Sequence, residues 1–321
     1  EPLNCTGGME PGTLTIVYAP AKNGKTWIGL EIGCIHPFEV ANARVLVVSN
    51  EMPVRQIWRR ILARICRLDY SDVVQGSLPL DARDESFDML TQMQEDQLLS
   101  MRQEMAHSYR DIRVCRPSLS EGGGVNAVKN EIDRFKPDVV LVDGLYLMAD
   151  DRQGGKRDIG HKSIEGITQD LKHLASECNI PVVATTQSNR EGVKKSPAKM
   201  TNADFDDYGD VGFSLGPVRD ADFVIRLQKI RDYTNGNDRI LVTLPALRDG
   251  TSDAFTINFK PVLSFDLDIV NITPEQLRML NVEDDAEQEP PVRQQQRKSS
   301  RKKTPPAEQE FDLGGFDPFG G

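Results

Sequence analysis

Short runs of apolar, largely β-branched residues alternate along this chain with longer amphipathic segments. The run at residues 139–142, Val-Val-Leu-Val, offers no polar side chain to either face of a strand. A strand that is apolar on both faces has to be covered on both sides, as in a parallel sheet flanked by helices. The sequence therefore predicts an α/β fold with a mostly parallel central sheet.

Seven segments fit strands, at residues 13–18, 45–48, 138–142, 182–186, 223–227, 240–244 and 254–259. The amphipathic segments predict helices that begin near Gly24, Val54, Glu85, Val125 and Ser163. The last few strands follow one another without an intervening helix. We therefore expect an antiparallel extension at one edge of the sheet.

Residues 19–26, Ala-Pro-Ala-Lys-Asn-Gly-Lys-Thr, join the first strand to the first helix. In such a loop the backbone N–H groups face the phosphates of a nucleotide, a lysine binds the β and γ oxygens, and a threonine hydroxyl ligates Mg²⁺. Gly-Lys-Thr alone also occurs in ordinary strand-to-helix turns, so the flanking strand and helix are what favour a nucleotide site. The pattern predicts an ATP and Mg²⁺ site formed by Ala21, Lys22, Asn23, Gly24, Lys25 and Thr26.

Two acidic residues follow later strands. Glu51 comes shortly after the run at 45–48, and Asp143 directly follows the run at 138–142. The carboxyl ends of parallel strands form the edge at which open α/β sheets bind ligands. We expect Glu51 to deprotonate the water that attacks the γ-phosphate, and Asp143 to hold Mg²⁺ directly or through water. Without a phosphate loop in the same chain, an acidic residue at such a position is more often an ordinary solvated side chain. The functional interpretation of both residues therefore depends on the phosphate loop at residues 19–26.

Two further polar residues are candidates. Gln187 follows the strand at 182–186, where an amide can hydrogen-bond a γ-phosphate and change position once the phosphate leaves. Alternatively, Gln187 is an ordinary polar residue at the start of a loop. Arg248 precedes Asp249-Gly250, a pair typical of a hairpin at a sheet edge, where the nucleotide of a neighbouring subunit is within reach. Taken alone, Arg248 is more often a surface charge.

Composition excludes several classes of protein. No apolar run approaches the roughly 20 residues of a membrane-spanning helix. The five cysteines are scattered, without a Cys-x-x-Cys pair, which argues against a disulfide scaffold and against a structural zinc site. A reducing, cytoplasmic setting is expected.

Charge divides the chain into a body and a tail. The whole chain has a net charge of −10, and residues 1–282 keep −7, so the body is not a basic nucleic-acid binder by composition. Residues 292–304 carry six bases and no acid, and residues 307–321 carry four acids, no base and three phenylalanines. Such segments bury too little apolar surface to offset their ordering entropy. We expect residues 283–321 to be a disordered tail.

Together these segments resemble the RecA-type motor domain of DnaB-like replicative helicases, a P-loop NTPase fold. The resemblance spans roughly residues 6–262, and its specificity lies in the order and joint presence of the motifs. The matching stretches are residues 7–12 with 19–26, 45–52 with the helix at 56–65, 139–148, 171–190, 220–222 and 247–250. The family also has alanine at the position of Ala19, where the general pattern has glycine.

The resemblance implies roles for the candidate residues. Lys25 and Thr26 would bind phosphate and Mg²⁺, and Asp143 would support the metal. Glu51 would activate water, Gln187 would sense the γ-phosphate, and Arg248 would act on the nucleotide of a neighbouring subunit. The resemblance also implies a homo-oligomeric, hexameric ring that unwinds DNA while single-stranded DNA passes through its channel. We expect residues 1–282 to form the motor domain, without the N-terminal helical domain of these helicases.

Two positions depart from the family. Ala246 stands two residues before Arg248, where the family usually has a base, so each nucleotide is expected to meet one cation instead of two. The expected DNA-contacting loop, residues 209–217, lacks an arginine. Its backbone N–H groups can still bind phosphate, and the preceding segment offers Lys194, Lys195 and Lys199.

The acidic end at residues 307–321 is similar to the ends by which single-stranded-DNA-binding proteins recruit replication factors. We expect it to dock a replication partner, with a solubilising tail as the alternative.

For the whole chain, the first hypothesis is an ATP-driven ring helicase. The alternatives are a recombinase-like or clock-like RecA ATPase that does not unwind DNA, and a protein that uses nucleotide only as a switch.

Overall fold

The computed structural model describes residues 9–67, 70–75, 96, 99–100, 103, 110–116, 123–153, 161–187, 219–231, 238–247, 254–258 and 270–271. The helix predicted near Glu85, the loop at residues 209–217, the Arg248 segment and the tail at 283–321 lie outside these ranges. The division into a motor domain and a tail therefore stays a prediction.

Nine strands within the described ranges form one sheet. They are β1 (Leu14–Ala19), β2 (Arg44–Ser49), β3 (Asp111–Cys115), β4 (Val139–Asp143), β5 (Val182–Gln187), β6 (Phe223–Arg231), β7 (Asp238–Leu247), β8 (Ala254–Asn258) and β9 (Val270–Asn271). Their order across the sheet is β3-β2-β4-β5-β1-β6-β7-β8-β9. All pairings from β3 to β6 are parallel, and those of β7, β8 and β9 are antiparallel. The predicted sheet and its antiparallel extension are confirmed.

Helices connect the parallel strands. They are α1 (Lys25–Leu30), α2 (His36–Val40), α3 (Val54–Ile65), α4 (Tyr70–Gln75), α5 (Val125–Phe135) and α6 (His161–Cys178). A π-helical turn at Glu31–Ile35 joins α1 to α2, and 3₁₀ turns lie at Leu145–Leu147 and Asp151–Gln153. The helix starts predicted near Gly24, Val54, Val125 and Ser163 are each within two residues of those observed.

The core lies on both faces of the sheet. Val45, Leu141 and Val183 belong to the cluster that packs against α1, α2 and α3. Their neighbours along the strands, such as Leu46 and Val140, belong to the opposite cluster with α5 and α6. Successive residues of a strand face opposite sides, so a strand at the centre of such a sandwich must be apolar throughout.

Strands β6 and β7 are longer than the sequence predicted, and β3 and β9 were not predicted. In the β6–β7 ladder Val224 pairs with Ala246 and Arg226 pairs with Thr243, so two residues of β7 oppose Ile225. One of those two is Pro245, which has no N–H to donate. The bulge accommodates a proline that a regular ladder would exclude.

Within the described ranges, no helix is both long and apolar enough to cross a membrane. Four of the five cysteines fall in those ranges, and all four are free thiols: Cys34, Cys66, Cys115 and Cys178. Burial raises the pKa of Cys66 and of Cys115 to about 11, so both stay protonated at neutral pH.

Candidate active site

The phosphate loop lies between the end of β1 and the start of α1. All six residues of β1 are buried, which anchors the loop in the centre of the sheet. Lys22 and Gly24 have positive φ angles of 67° and 77°, and Gly24 is the N-cap of α1. Left-handed residues alternating with others turn successive N–H groups toward one point, which makes an anion-binding concavity. The loop thus has the backbone form that a phosphate site requires.

Lys25 is the first residue of α1 and is only 6% exposed. Its Nζ lies 3.3 Å from Oε2 of Glu51 and 5.0 Å from the centre of the Tyr146 ring. The ammonium group therefore sits between a carboxylate and an aromatic face, both of which stabilise a cation in a partly buried place.

Asp143 ends β4 and is fully buried. Thr26 Oγ1 lies 3.3 Å from each of its carboxylate oxygens, and Thr185 Oγ1 donates a hydrogen bond of 2.8 Å to Oδ1. Burial raises the pKa of Asp143 above its usual value, and the Glu51 charge adds to the rise. The hydrogen bond from Thr185 and the charge of Lys25 oppose it.

Strand register brings Glu51 to Asp143. Ser49, the last residue of β2, pairs with Asp143, and the Asn50 N–H donates to the Asp143 carbonyl oxygen at 2.9 Å. Ser49 Oγ also donates to the Met52 carbonyl and accepts the Met52 N–H, which fixes the turn that carries Glu51. Lys25, Thr26, Glu51 and Asp143, predicted from three separate patterns, thus meet at one edge of the sheet.

Gln187 is also at this edge. It ends β5 and pairs with Ala19, the residue at which the phosphate loop begins, and its side chain is partly exposed. Its backbone therefore lies beside the loop, as a γ-phosphate sensor would require.

Arg248 itself lies outside the described residues, but the strand that leads to it does not. Leu247 ends β7 and pairs with Phe223, which pairs in turn with Thr15 near the start of β1. Leu247 is therefore at the amino edge of the parallel strands, opposite the phosphate loop. Along β1, the four residues from Thr15 to Ala19 advance the chain by about 13 Å, which is the separation of the two edges at this strand.

Sequence reasoning missed Thr185 and Tyr146. Thr185 Oγ1 accepts the Gly144 N–H at 2.9 Å while donating to Asp143, so it fixes the end of β4. Its sequence signal is weak, because Thr185 is one of three consecutive polar residues at the end of a strand that begins with three apolar ones. Tyr146 lies in the 3₁₀ turn after Asp143, and burial together with the nearby Glu51 charge raises the pKa of its hydroxyl. No spacing pattern relates Tyr146 to Lys25 or Glu51, which are more than 90 positions away.

The donor set fits a magnesium ion better than a transition metal. The described residues contain no group of three or more His, Cys, Asp and Glu side chains that could hold a metal by themselves. Thr26 and Asp143 instead offer hard oxygen atoms at one point. Mg²⁺ is commonly held by one or two protein oxygens together with waters and nucleotide phosphates.

Two bacterial proteins are similar in sequence. The chain is 26% identical over 235 residues to the replicative DNA helicase DnaB of Haemophilus influenzae, and 28% identical over 241 residues to that of Pasteurella multocida. Each match covers 73% of this chain and 46% of the relative. The chain therefore spans about half the length of these curated relatives.

Solved structures share the fold. A DnaB-like replicative helicase, solved in a study of its interactions with primase, superposes with a TM-score of 0.61 and 19% identity over 84% of this chain and 61% of its own. A KaiC-like protein from Pyrococcus horikoshii superposes with a TM-score of 0.51 and 12% identity over 83% of this chain and 92% of its own. Both confirm the predicted RecA-like architecture.

A family model also matches most of the chain. The family described as "DnaB-like helicase C terminal domain" matches residues 3–265, which include all the strands that carry the site. Since the match covers well over half of the 321 residues, this chain belongs to the family of DnaB-like helicase C-terminal domains.

Proposed function

We propose that this chain is the ATP-driven motor of a replicative DNA helicase, which moves along single-stranded DNA and separates the duplex ahead of it. The observation that carries the proposal is the meeting of Lys25 and Thr26 with Glu51 and Asp143 at the carboxyl edge of the sheet. The relatives named as replicative DNA helicases support the choice of DNA as the track.

In this proposal ATP binds with its phosphates at Ala21, Lys22, Asn23 and Gly24, and Lys25 neutralises the β and γ oxygens. Thr26 and Asp143 would hold Mg²⁺, which supplies charge neutralisation between the phosphates when it is bound. The 3.3 Å between the Thr26 hydroxyl and the Asp143 carboxylate supports these two ligands.

Glu51 acts as the general base in the proposed reaction. Its side chain is 35% exposed, so water can reach a carboxylate that also lies within 3.3 Å of the phosphate-binding Lys25. The base takes a proton of the attacking water as its oxygen bonds to the γ-phosphorus, and the bond from the γ-phosphorus to the bridging oxygen breaks, which gives ADP and inorganic phosphate. Gln187 would then report the loss of the γ-phosphate to the loop that follows β5.

Arg248 is proposed to act on the nucleotide of a neighbouring subunit. Leu247, one residue before it, lies at the edge opposite the phosphate loop of the same subunit, and one further residue adds at most about 3.6 Å. The arginine is therefore badly placed to reach its own nucleotide. A head-to-tail arrangement that brings it to the next subunit closes into a ring, for which we propose a hexamer.

The proposed track is single-stranded DNA in the ring channel. Its contacts are assigned to the loop at residues 209–217 and to Lys194, Lys195 and Lys199, and the acidic tail end at 307–321 is assigned to a replication partner. All of these residues stay predictions from sequence. The function implies a location in the cytoplasm of a bacterial cell, where such replication takes place.

The test is phosphate release with and without single-stranded oligonucleotide, together with ATP-dependent displacement of a labelled strand from a forked duplex. We expect DNA-stimulated release and displacement from the wild type, and neither from Lys25→Ala. Hydrolysis without displacement would instead support a RecA-like or clock-like ATPase. Nucleotide binding without hydrolysis would reduce the protein to a nucleotide switch.

A further inference from the structure

Tyr146 lies beside the ion pair of Lys25 and Glu51 in the proposed hydrolytic site. Its ring centre lies 5.0 Å from the Lys25 ammonium, and that ammonium lies 3.3 Å from Oε2 of Glu51. The residue is partly buried against the core under α5 and α6, so the ring is supported from behind. One side chain therefore borders both the phosphate-binding cation and the carboxylate that is proposed as the base.

The turn that carries Tyr146 is held close to Glu51. Gly144 has a φ angle of 90°, and a Cβ built on it would lie 3.3 Å from both the Cβ and the backbone N of Glu51. A larger residue at this position would be strained and would press on the Glu51 loop. The close approach sets the distance between Tyr146 and Glu51 through the backbone.

The Tyr146 hydroxyl keeps its proton at neutral pH. Burial raises its pKa well above the usual value for tyrosine, and the nearby Glu51 carboxylate raises it further. The protonated phenol can donate to a neighbouring carboxylate, which only accepts hydrogen bonds. A hydrogen bond of this kind, to a charged acceptor, is among the stronger ones in proteins.

Glu51 needs a second partner because Lys25 has another task. Lys25 lies 3.3 Å from Glu51, and the phosphates of a bound nucleotide compete for that ammonium group. A carboxylate on a loop, 35% exposed, would then be free to rotate away from the attacking water. A hydrogen bond from the Tyr146 hydroxyl would prevent this rotation.

We propose that Tyr146 is a positioning residue with two separable parts, a hydroxyl that orients Glu51 for water activation and a ring face that holds Lys25 for phosphate binding. This inference rests on the proposed hydrolytic function. It predicts that removal of the hydroxyl slows turnover, whereas removal of the whole ring also weakens nucleotide binding.

Tyr146→Phe and Tyr146→Leu test the two parts separately. Steady-state ATP hydrolysis gives kcat and KM, and titration of a fluorescent ADP analogue gives a dissociation constant that does not depend on turnover. For Tyr146→Phe we expect kcat to fall on the order of tenfold, with an ADP-analogue affinity close to that of the wild type. For Tyr146→Leu we expect the same loss of kcat and about two- to fivefold weaker binding.

Two reference variants make the outcome decisive. Tyr70→Phe removes a hydroxyl from a tyrosine on α4, whose ring packs edge-on against Trp27, and should leave kcat unchanged. Glu51→Gln reports whether Glu51 is the base at all. If Glu51→Gln hydrolyses ATP as fast as the wild type, the assignment of the base fails and the role of Tyr146 fails with it.

If Glu51→Gln is inactive while Tyr146→Phe keeps the wild-type kcat, the proposed function stands and the positioning role of the hydroxyl is wrong. If Tyr146→Leu binds the ADP analogue as tightly as the wild type, the role of the ring face is wrong. A kcat defect in Tyr146→Phe that comes with an equal loss in Tyr70→Phe would also overturn the inference, since hydroxyl removal would then act through general loss of packing.

Discussion

The Lys25 ammonium cannot interact fully with the protein groups around it and with the phosphates of a nucleotide at the same time. The protein supplies the Glu51 carboxylate at 3.3 Å and the Tyr146 ring at 5.0 Å, and a nucleotide supplies phosphate oxygens. The nearly buried ammonium gains most from the partner with the greater negative charge. Nucleotide binding should therefore loosen the ion pair and make the Glu51 carboxylate available to water.

Glu51→Gln and Lys25→Ala should separate chemistry from binding. The glutamine keeps the size and polarity of the side chain but accepts no proton, so we expect hydrolysis to fall by roughly 100-fold or more while nucleotide affinity is retained. The alanine removes the phosphate-binding charge, so we expect both affinity and hydrolysis to be lost. The measurements are phosphate release and titration of a fluorescent nucleotide. Wild-type turnover in the glutamine variant would exclude Glu51 from the chemistry.

Thr185→Val should destabilise the protein although valine has nearly the same shape. The substitution leaves the Gly144 N–H and one side of the buried Asp143 carboxylate without the partner they have now. We expect the free energy of unfolding to fall by about 1–3 kcal/mol, because unpaired buried polar groups cost that much. Denaturant unfolding measures it. Thr185→Ser keeps the hydroxyl and is the matched control; equal stability of Thr185→Val and the wild type would contradict the account.

Sequence patterns identify residues of the site that stand in fixed local contexts. Lys25 and Thr26 are marked by their loop, and Asp143 by the apolar run before it. Thr185 and Tyr146 have no such context, because their contacts arise only when β5 and the turn after β4 come together. Contacts between residues far apart in sequence depend on register and helix packing, which composition and spacing do not specify.

At the level of elements, α1 and the π-helical turn that follows it lie close to the sheet. A Cβ built on Gly29 in α1 would lie 2.7 Å from Cγ2 of Thr185, and one on Gly33 in the turn would lie 3.2 Å from the Cβ of Leu141. Glycine at these positions lets α1 and the turn approach the strands that carry Thr185 and Asp143. The closeness of the helix to the sheet therefore helps to set the geometry of the site.

Gly29→Ala should be destabilising despite the better helix propensity of alanine. The gain in propensity is about 1 kcal/mol, but the added methyl group meets a threonine whose hydroxyl is held by two hydrogen bonds. We expect a net loss of about 1–2 kcal/mol in the free energy of unfolding, within the range for overpacked cores.

Gly166→Ala in α6 is the matched control for Gly29→Ala. The Cβ added there would meet only the flexible end of the Arg152 side chain, at 2.9 Å, so stability should stay the same or rise. The two variants are compared by their denaturant midpoints. Equal effects at Gly29 and Gly166 would show that α1 can move away from the sheet at little cost.

The elements that sequence reasoning missed are those with a weak local signal. Strand β3 is an edge strand beside β2, and Ile112 is its one fully buried residue. Its sequence, Asp-Ile-Arg-Val-Cys, therefore lacks the long apolar run of a central strand. Strand β9 has two residues and is defined by its pairing with β8. Central strands, covered on both faces, were predicted because burial itself constrains their composition.

At the level of the whole molecule, the sheet separates the phosphate loop from the strand end that leads to Arg248. The loop follows β1 at the carboxyl edge, and β7 runs antiparallel and ends at the amino edge. A single copy thus has its phosphate loop at one edge of the sheet and Leu247, the residue before Arg248, at the other. If Arg248 acts as proposed, each nucleotide site is completed by a further copy in head-to-tail association.

Mixing two variants that we expect to be inactive tests directly whether the active site is shared between subunits. In Arg248→Ala subunits the phosphate loop is intact, and in Lys25→Ala subunits the arginine is intact. In mixed rings formed at equal amounts, about a quarter of the interfaces should join an intact loop to an intact arginine. We therefore predict that the mixture hydrolyses ATP, although each variant alone does not. An absence of hydrolysis at every mixing ratio, with mixed rings verified by native mass spectrometry, would contradict an active site shared between subunits.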